Sequence, residues 1–68
     1  MKAVTGKQLA RTLERHGWEL RPDTGSHHIC AKADTAVRLS VPIHGNRPLK
    51  TGLARHLLKM ADLSEEDV

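Results

Sequence analysis

Gly25-Ser26-His27-His28 sets two imidazoles directly after two small residues, where a turn enters an extended segment. An imidazole changes charge near neutrality, with an unperturbed pKa of about 6.5. His27 can therefore take a proton from a ribose 2′-hydroxyl and return one to a leaving oxygen, without a metal or any other cofactor. RNA supplies its own nucleophile in such a reaction. The deprotonated 2′-oxygen attacks the adjacent phosphorus, while the protein positions the strand, moves protons and offsets phosphate charge with Lys, Arg or backbone N–H groups. The competing reading of His27 is structural: it shares strand parity with Ile29 and Ala31. If Ile29 points into the core, His27 is a half-buried, hydrogen-bonded core histidine.

The other candidates divide by context. His28 and Cys30 lie on the opposite strand face, but two ligands fall short of the three or four that a metal site takes. His44 stands in the loop Pro42-Ile43-His44-Gly45-Asn46, where it either contacts a phosphate or stabilises the turn. His16 and His56 fall in helical segments and read as surface residues. Lys32, Lys50 and other Lys and Arg side chains along the chain are either phosphate contacts or simply a solvated basic face. Nothing matches a P-loop, a zincin helix or a Ser-centred nucleophile elbow. Ser26 beside His27 is no triad, because no third member is supplied.

Five elements must hold these residues. Thr5 and Gln8 form a T-x-x-Q capping box, Val4 and Leu9 occupy the staple positions, and Gly17 stands where a helix stops. Trp18 and Leu20 then alternate with Glu19 and Arg21 up to the turn residues Pro22, Asp23, Thr24 and Gly25, giving a first strand. A second strand follows over Ser26 to Lys32, and Asp34-Thr35 forms a tight connection into a third over Ala36 to Val41. Pro42 to Pro48 reads as an irregular loop. From Leu49 onward, Leu49, Leu53, Leu57, Met60 and Ala61 repeat at helical spacing and predict a second helix whose apolar face covers the sheet. The order α-β-β-β-α, an α+β arrangement with two helices on one face of a three-stranded antiparallel sheet, is shared with double-stranded-RNA-binding domains.

Sixty-eight residues fit one small domain, residues 1–68, in which residues 61–68 form an acidic C-terminal tail that is either capped by Ser64 and Asp67 or frayed. Eleven Lys plus Arg against eight Asp plus Glu give a net charge of +3. Four of those acids, Asp62, Glu65, Glu66 and Asp67, sit in the tail, so the body is far more basic than the average and favours anionic partners. A single cysteine excludes an internal disulfide framework and fits a reducing, cytoplasmic setting. No apolar run approaches the length of a membrane span, so no membrane partner is expected. With Trp18 as the only Phe, Trp or Tyr, base stacking is sparse.

Taken in order, T-G-K-Q-L with L-x-x-x-G-W, then G-S-H-H-I, V-P-I-H-G-N, L-K-T-G-L and L-L-K resemble the HicA family of toxins over nearly the whole chain. That resemblance implies a double-stranded-RNA-binding-domain-like fold and a metal-independent mRNA endonuclease that arrests growth. It also implies a HicB-family antitoxin that binds the toxin and blocks its active site. His27, the first His of G-S-H, takes the place of the family's catalytic histidine, with Gly25 and Ser26 shaping its turn and His28 at a more variable position. His44, Gly45 and Asn46 match the P-x-H-G-N loop, and Lys50 matches the basic position before the second helix. Cys30 departs from the pattern by standing where many relatives carry an aromatic ring. No second catalytic residue is evident, so His27 as base, acid or both stays open. The alternatives are a non-catalytic RNA-binding module and a small interaction domain that meets an acidic protein.

Overall fold

The computed structural model describes residues 3–22 and 25–68, so the turn positions Asp23 and Thr24 lie outside the described residues. Helix α1 spans Gly6–Arg15 and opens on both bonds of the capping box: Thr5 N–H donates to Gln8 Oε1 at 2.9 Å, and Gln8 N–H to Thr5 Oγ1 at 3.1 Å. Val4 and Leu9, the staple pair, are both buried. The other end closes on Gly17, whose φ of +91° lets Trp18 N–H reach Leu13 O at 3.0 Å and Gly17 N–H reach Glu14 O at 3.2 Å. That left-handed stop turns the chain and drops Trp18 into the core beside Leu13.

Strands β1 (Glu19–Pro22), β2 (His27–Ala31) and β3 (Arg38–Pro42) form an antiparallel sheet in the order β1-β2-β3. Leu20 pairs with Cys30 and Cys30 with Leu39, while His28 pairs with Val41. Partners in an antiparallel ladder share a face, so these residues look toward the helices. Cys30, Leu39 and Val41 are fully buried there against Leu9 and Leu13 of α1. The opposite parity, with His27, Ile29 and Ala31 on β2, forms a face that, among the described residues, no helix covers.

Two boundaries differ from the sequence reading. The ladder ends at Ala31 and Arg38, so residues 32–37 form a longer connection than a tight Asp34-Thr35 turn. There Thr35 N–H donates to Lys32 O at 3.3 Å and Val37 N–H to Thr35 Oγ1 at 3.2 Å, satisfying the loop locally. The second helix, α2, spans Thr51–Met60 and starts two residues after Leu49. Pro48 makes a bridge with Thr5, and Leu49 N–H donates to Val4 O at 2.7 Å, which holds that segment extended.

The buried side of α2 also differs: Ala54, Leu57 and Leu58 with Ala61 face inward, whereas Leu53 and Met60 stay exposed. At about 100° per residue the apolar arc is wider than the sheet can cover. The half that carries Ala54, Leu57, Leu58 and Ala61 is the one buried, and Leu57, Leu58 and Ala61 join the core cluster. A final 3-10 turn, Glu65–Asp67, is capped at Ser64 by Asp67 Oδ2, 2.8 Å from Ser64 N. It carries Leu63 and Val68 back against the core. The whole is α+β in the order α-β-β-β-α, consistent with a double-stranded-RNA-binding-domain-like fold.

Candidate active site

The site grows from the junction between the turn before β2 and the loop after β3. Gly25 takes φ +52° with open space where a Cβ would stand, so backbone conformation and not crowding favours glycine there. Ser26, half-buried, follows, and its carbonyl accepts Ile43 N–H at 2.6 Å, one step beyond the regular ladder. His27 is the first residue of β2 and pairs with Pro42, so its exposed imidazole stands on the uncovered face. Ile29 points outward with it; the alternative in which His27 joins the core is therefore not realised.

The loop brings the second imidazole in. Ile43 is pinned by Ser26, and Arg47 N–H donates to His44 O at 3.1 Å, closing a turn in which Gly45 has φ +58°. The rings of His27 and His44 lie 6.2 Å apart, centroid to centroid, at 83°. Both are exposed. Asn46 is exposed in the same turn, and Lys50 is exposed as the N-terminal flanking residue of α2.

Beneath the loop stands Gly6 of α1. A Cβ added there would collide with the Pro42 carbonyl oxygen and crowd Ile43 at 3.0–3.1 Å. The absence of a side chain at Gly6 thus lets the start of α1 press against the segment leading into His44. Sequence reasoning saw Gly6 only as part of T-G-K-Q-L; its place one residue after a capping threonine hinted at a close approach, but not at what approaches.

Two expected site residues go elsewhere. Lys32 follows the last residue of β2, so the length of that strand, about 16 Å at 3.3 Å per residue, separates it from His27. Its ammonium lies 6.0 Å from the centroid of the Trp18 ring. His28 faces the helices, half-buried, with Nδ1 shielded from solvent and without a hydrogen-bond partner. Cys30 next to it is buried, and burial, reinforced by the Glu14 carboxylate, pushes its thiol up to about 11. Among the described residues no three His, Cys, Asp or Glu side chains converge as a metal-binding group. Trp18 is also a core residue, so neither it nor position 30 offers a ring to a ligand on the open face.

Cations border that face. Arg21 and Arg38 share its parity through their pairing with Ile29 and Ala31. Arg21 is paired with Glu19 at 3.2 Å, with both side chains exposed, a contact that water screens heavily. Arg38 folds back to donate to Thr35 O at 3.3 Å and Val37 O at 3.1 Å. The surface can therefore hold a polyanion along the sheet and present two exposed imidazoles at one end.

Among the described residues no helix is long and apolar enough to cross a membrane. Comparison with curated proteins gives no match. Residues 6–63, from the first residue of α1 to just past α2, match the family model described as the HicA toxin of bacterial toxin-antitoxin. With almost the entire length matched and the fold in the order α-β-β-β-α, this chain belongs to the HicA family, the toxins of bacterial toxin–antitoxin pairs.

Proposed function

We propose that this toxin is a metal-independent endoribonuclease that cleaves mRNA, with His27 moving protons at the scissile phosphodiester. The observation that carries the reading is the placement of His27: a solvent-facing imidazole on the first residue of a strand, beside a second imidazole and on a face bordered by arginines. A strand-borne imidazole is held more rigidly than one on a loop tip. Its position at the sheet end leaves a path for a phosphodiester to approach.

Attack of the 2′-oxygen on phosphorus breaks the bond to the 5′-oxygen and leaves a 2′,3′-cyclic phosphate. Protonation chemistry of this kind contributes about 10²–10⁴-fold to a rate. Purified protein is expected to cut single-stranded RNA in the presence of a chelator, and His27→Ala to cut at least about 100-fold more slowly. Intact RNA with the wild type, or equal rates for wild type and variant, would contradict the proposal. Gly25, Ser26, His44, Gly45 and Asn46 shape or border the same site, and Lys50 supplies a cation at the start of α2.

Members of this toxin family act with an antitoxin partner. For this chain we infer a HicB-like antitoxin that sits over His27. A non-catalytic RNA-binding role remains the competing reading, favoured by the basic body; it predicts salt-sensitive binding without products.

A further inference from the structure

We propose that His44 is the second proton-transfer residue of the site, so that His27 and His44 act as an acid–base pair across one phosphodiester. The inference rests on the ribonuclease reading above and adds to it the group that sequence patterns left unidentified.

The chemistry asks for two groups. In an in-line displacement the attacking 2′-oxygen and the departing 5′-oxygen lie on opposite sides of phosphorus. One imidazole cannot hydrogen-bond both at once, nor be neutral for one and protonated for the other. A base takes the 2′-hydroxyl proton as the O2′–P bond forms; an acid gives its proton to O5′ as the P–O5′ bond breaks. Water then restores both imidazoles to their starting protonation, so the cycle balances without any further reactant.

The geometry meets that demand. Centroids 6.2 Å apart place the two rings within edge-to-face range of each other. Both rings are exposed, so a single phosphate group lying over the pair from the solvent side can hydrogen-bond to each imidazole at about 2.6–3.2 Å. The rings stand 83° apart, one edge-on to the other. This placement is built, not incidental. Ile43 N–H is tied to Ser26 O, Arg47 N–H closes the turn on His44 O, and Gly6 leaves room for Pro42 and Ile43 to seat the loop. These contacts fix the backbone of the loop that carries His44.

The charged residues nearest the pair by strand and loop position are Arg21 on the open face, and Arg47 and Lys50 on the chain after His44; Arg38 lies at the far end of that face, opposite Ala31. Glu19, the acid on that face, stands two strand positions beyond Arg21 and is paired with it. The pair thus sits among cations that suit a phosphodiester substrate.

The test uses the intact protein and two RNA substrates. One is an ordinary oligoribonucleotide. In the other a sulfur replaces the 5′-bridging oxygen at the cleaved phosphate, giving a leaving group that needs no proton. On ordinary RNA, His27→Ala and His44→Ala are each expected to lose at least about 100-fold in rate, and the bell-shaped pH profile of the wild type to lose one limb in each variant. On the sulfur substrate one of the two variants recovers and the other does not, which identifies the acid. Melting curves control for folding; both side chains are exposed, and His44→Gln, which keeps a polar group, is expected to be as inactive as His44→Ala. A wild-type rate for His44→Ala, or recovery of neither variant or of both, overturns the pair. If the wild type itself leaves ordinary RNA intact, the ribonuclease reading falls as well. If only His27→Ala is inactive, that reading stands and the pair alone falls.

Discussion

His27 and His28 are chemically identical neighbours, and strand parity alone separates their fates: one faces solvent and the other faces α1 and α2. Local sequence did not decide which, because each parity of β2 carries apolar residues, Ile29 and Ala31 on one side and Cys30 on the other. The hairpin register did hold the answer. A connection centred on Asp34-Thr35 pairs position 28 with 41 and 30 with 39, so Val41 and Leu39 draw His28 and Cys30 inward. The same register sets position 27 against 42 and leaves His44 two residues further on, which makes the proximity of the two histidines derivable in hindsight. Cys30 offers a check on this inward parity. Burial, with Glu14 adding to it, raises its thiol from 9.0 to about 11, so the folded state favours the neutral thiol. The unfolded chain ionises first as pH rises; this contribution is therefore whole below pH 9 and is lost between about 9 and 11. Melting temperatures of wild type are expected to fall across that window more steeply than those of Cys30→Ala. Parallel curves would mean that the thiol is not shielded.

At the scale of elements, the ends of α1 and the strand alternation were plain in the sequence because they rest on local chemistry: a capping box, a glycine stop, a period of two. The rotation of α2 was not, since which part of a broad apolar arc is buried depends on the surface it meets. Gly6 belongs to the same class, its role arising from Pro42 and Ile43 far along the chain. Gly6→Ala is expected to cost about 1–3 kcal/mol through overpacking. It should also slow RNA cleavage, because the loop that carries His44 must move. Thr5→Ala on the same helix removes a cap worth about 1 kcal/mol and leaves that loop seated. Urea melts paired with cleavage rates distinguish the two. Equal cleavage by Gly6→Ala and Thr5→Ala at matched stability would show that Gly6 does not position the loop.

The described residues form a single-layer sheet roofed by helices on one side and bare on the other. Its 4548 Å² of accessible surface is small, and an antitoxin interface of standard size takes about 800 Å² from each partner, less than a fifth of this chain. A footprint of that size is large enough to cover the end of the sheet with both histidines, where we propose the antitoxin sits. The basic body of the chain, with half of its acids gathered in the last seven residues, would give a polyanion and an acidic partner the same electrostatic approach. The central claim is that an imidazole pair lets RNA attack itself, and the chemistry of the cut ends tests it most directly. Mass spectrometry of products made in chelator is expected to find a 2′,3′-cyclic phosphate on one fragment and a 5′-hydroxyl on the other. Fragments ending in a 3′-hydroxyl and a 5′-phosphate would mean that water, not the 2′-oxygen, is the nucleophile, and would contradict the account.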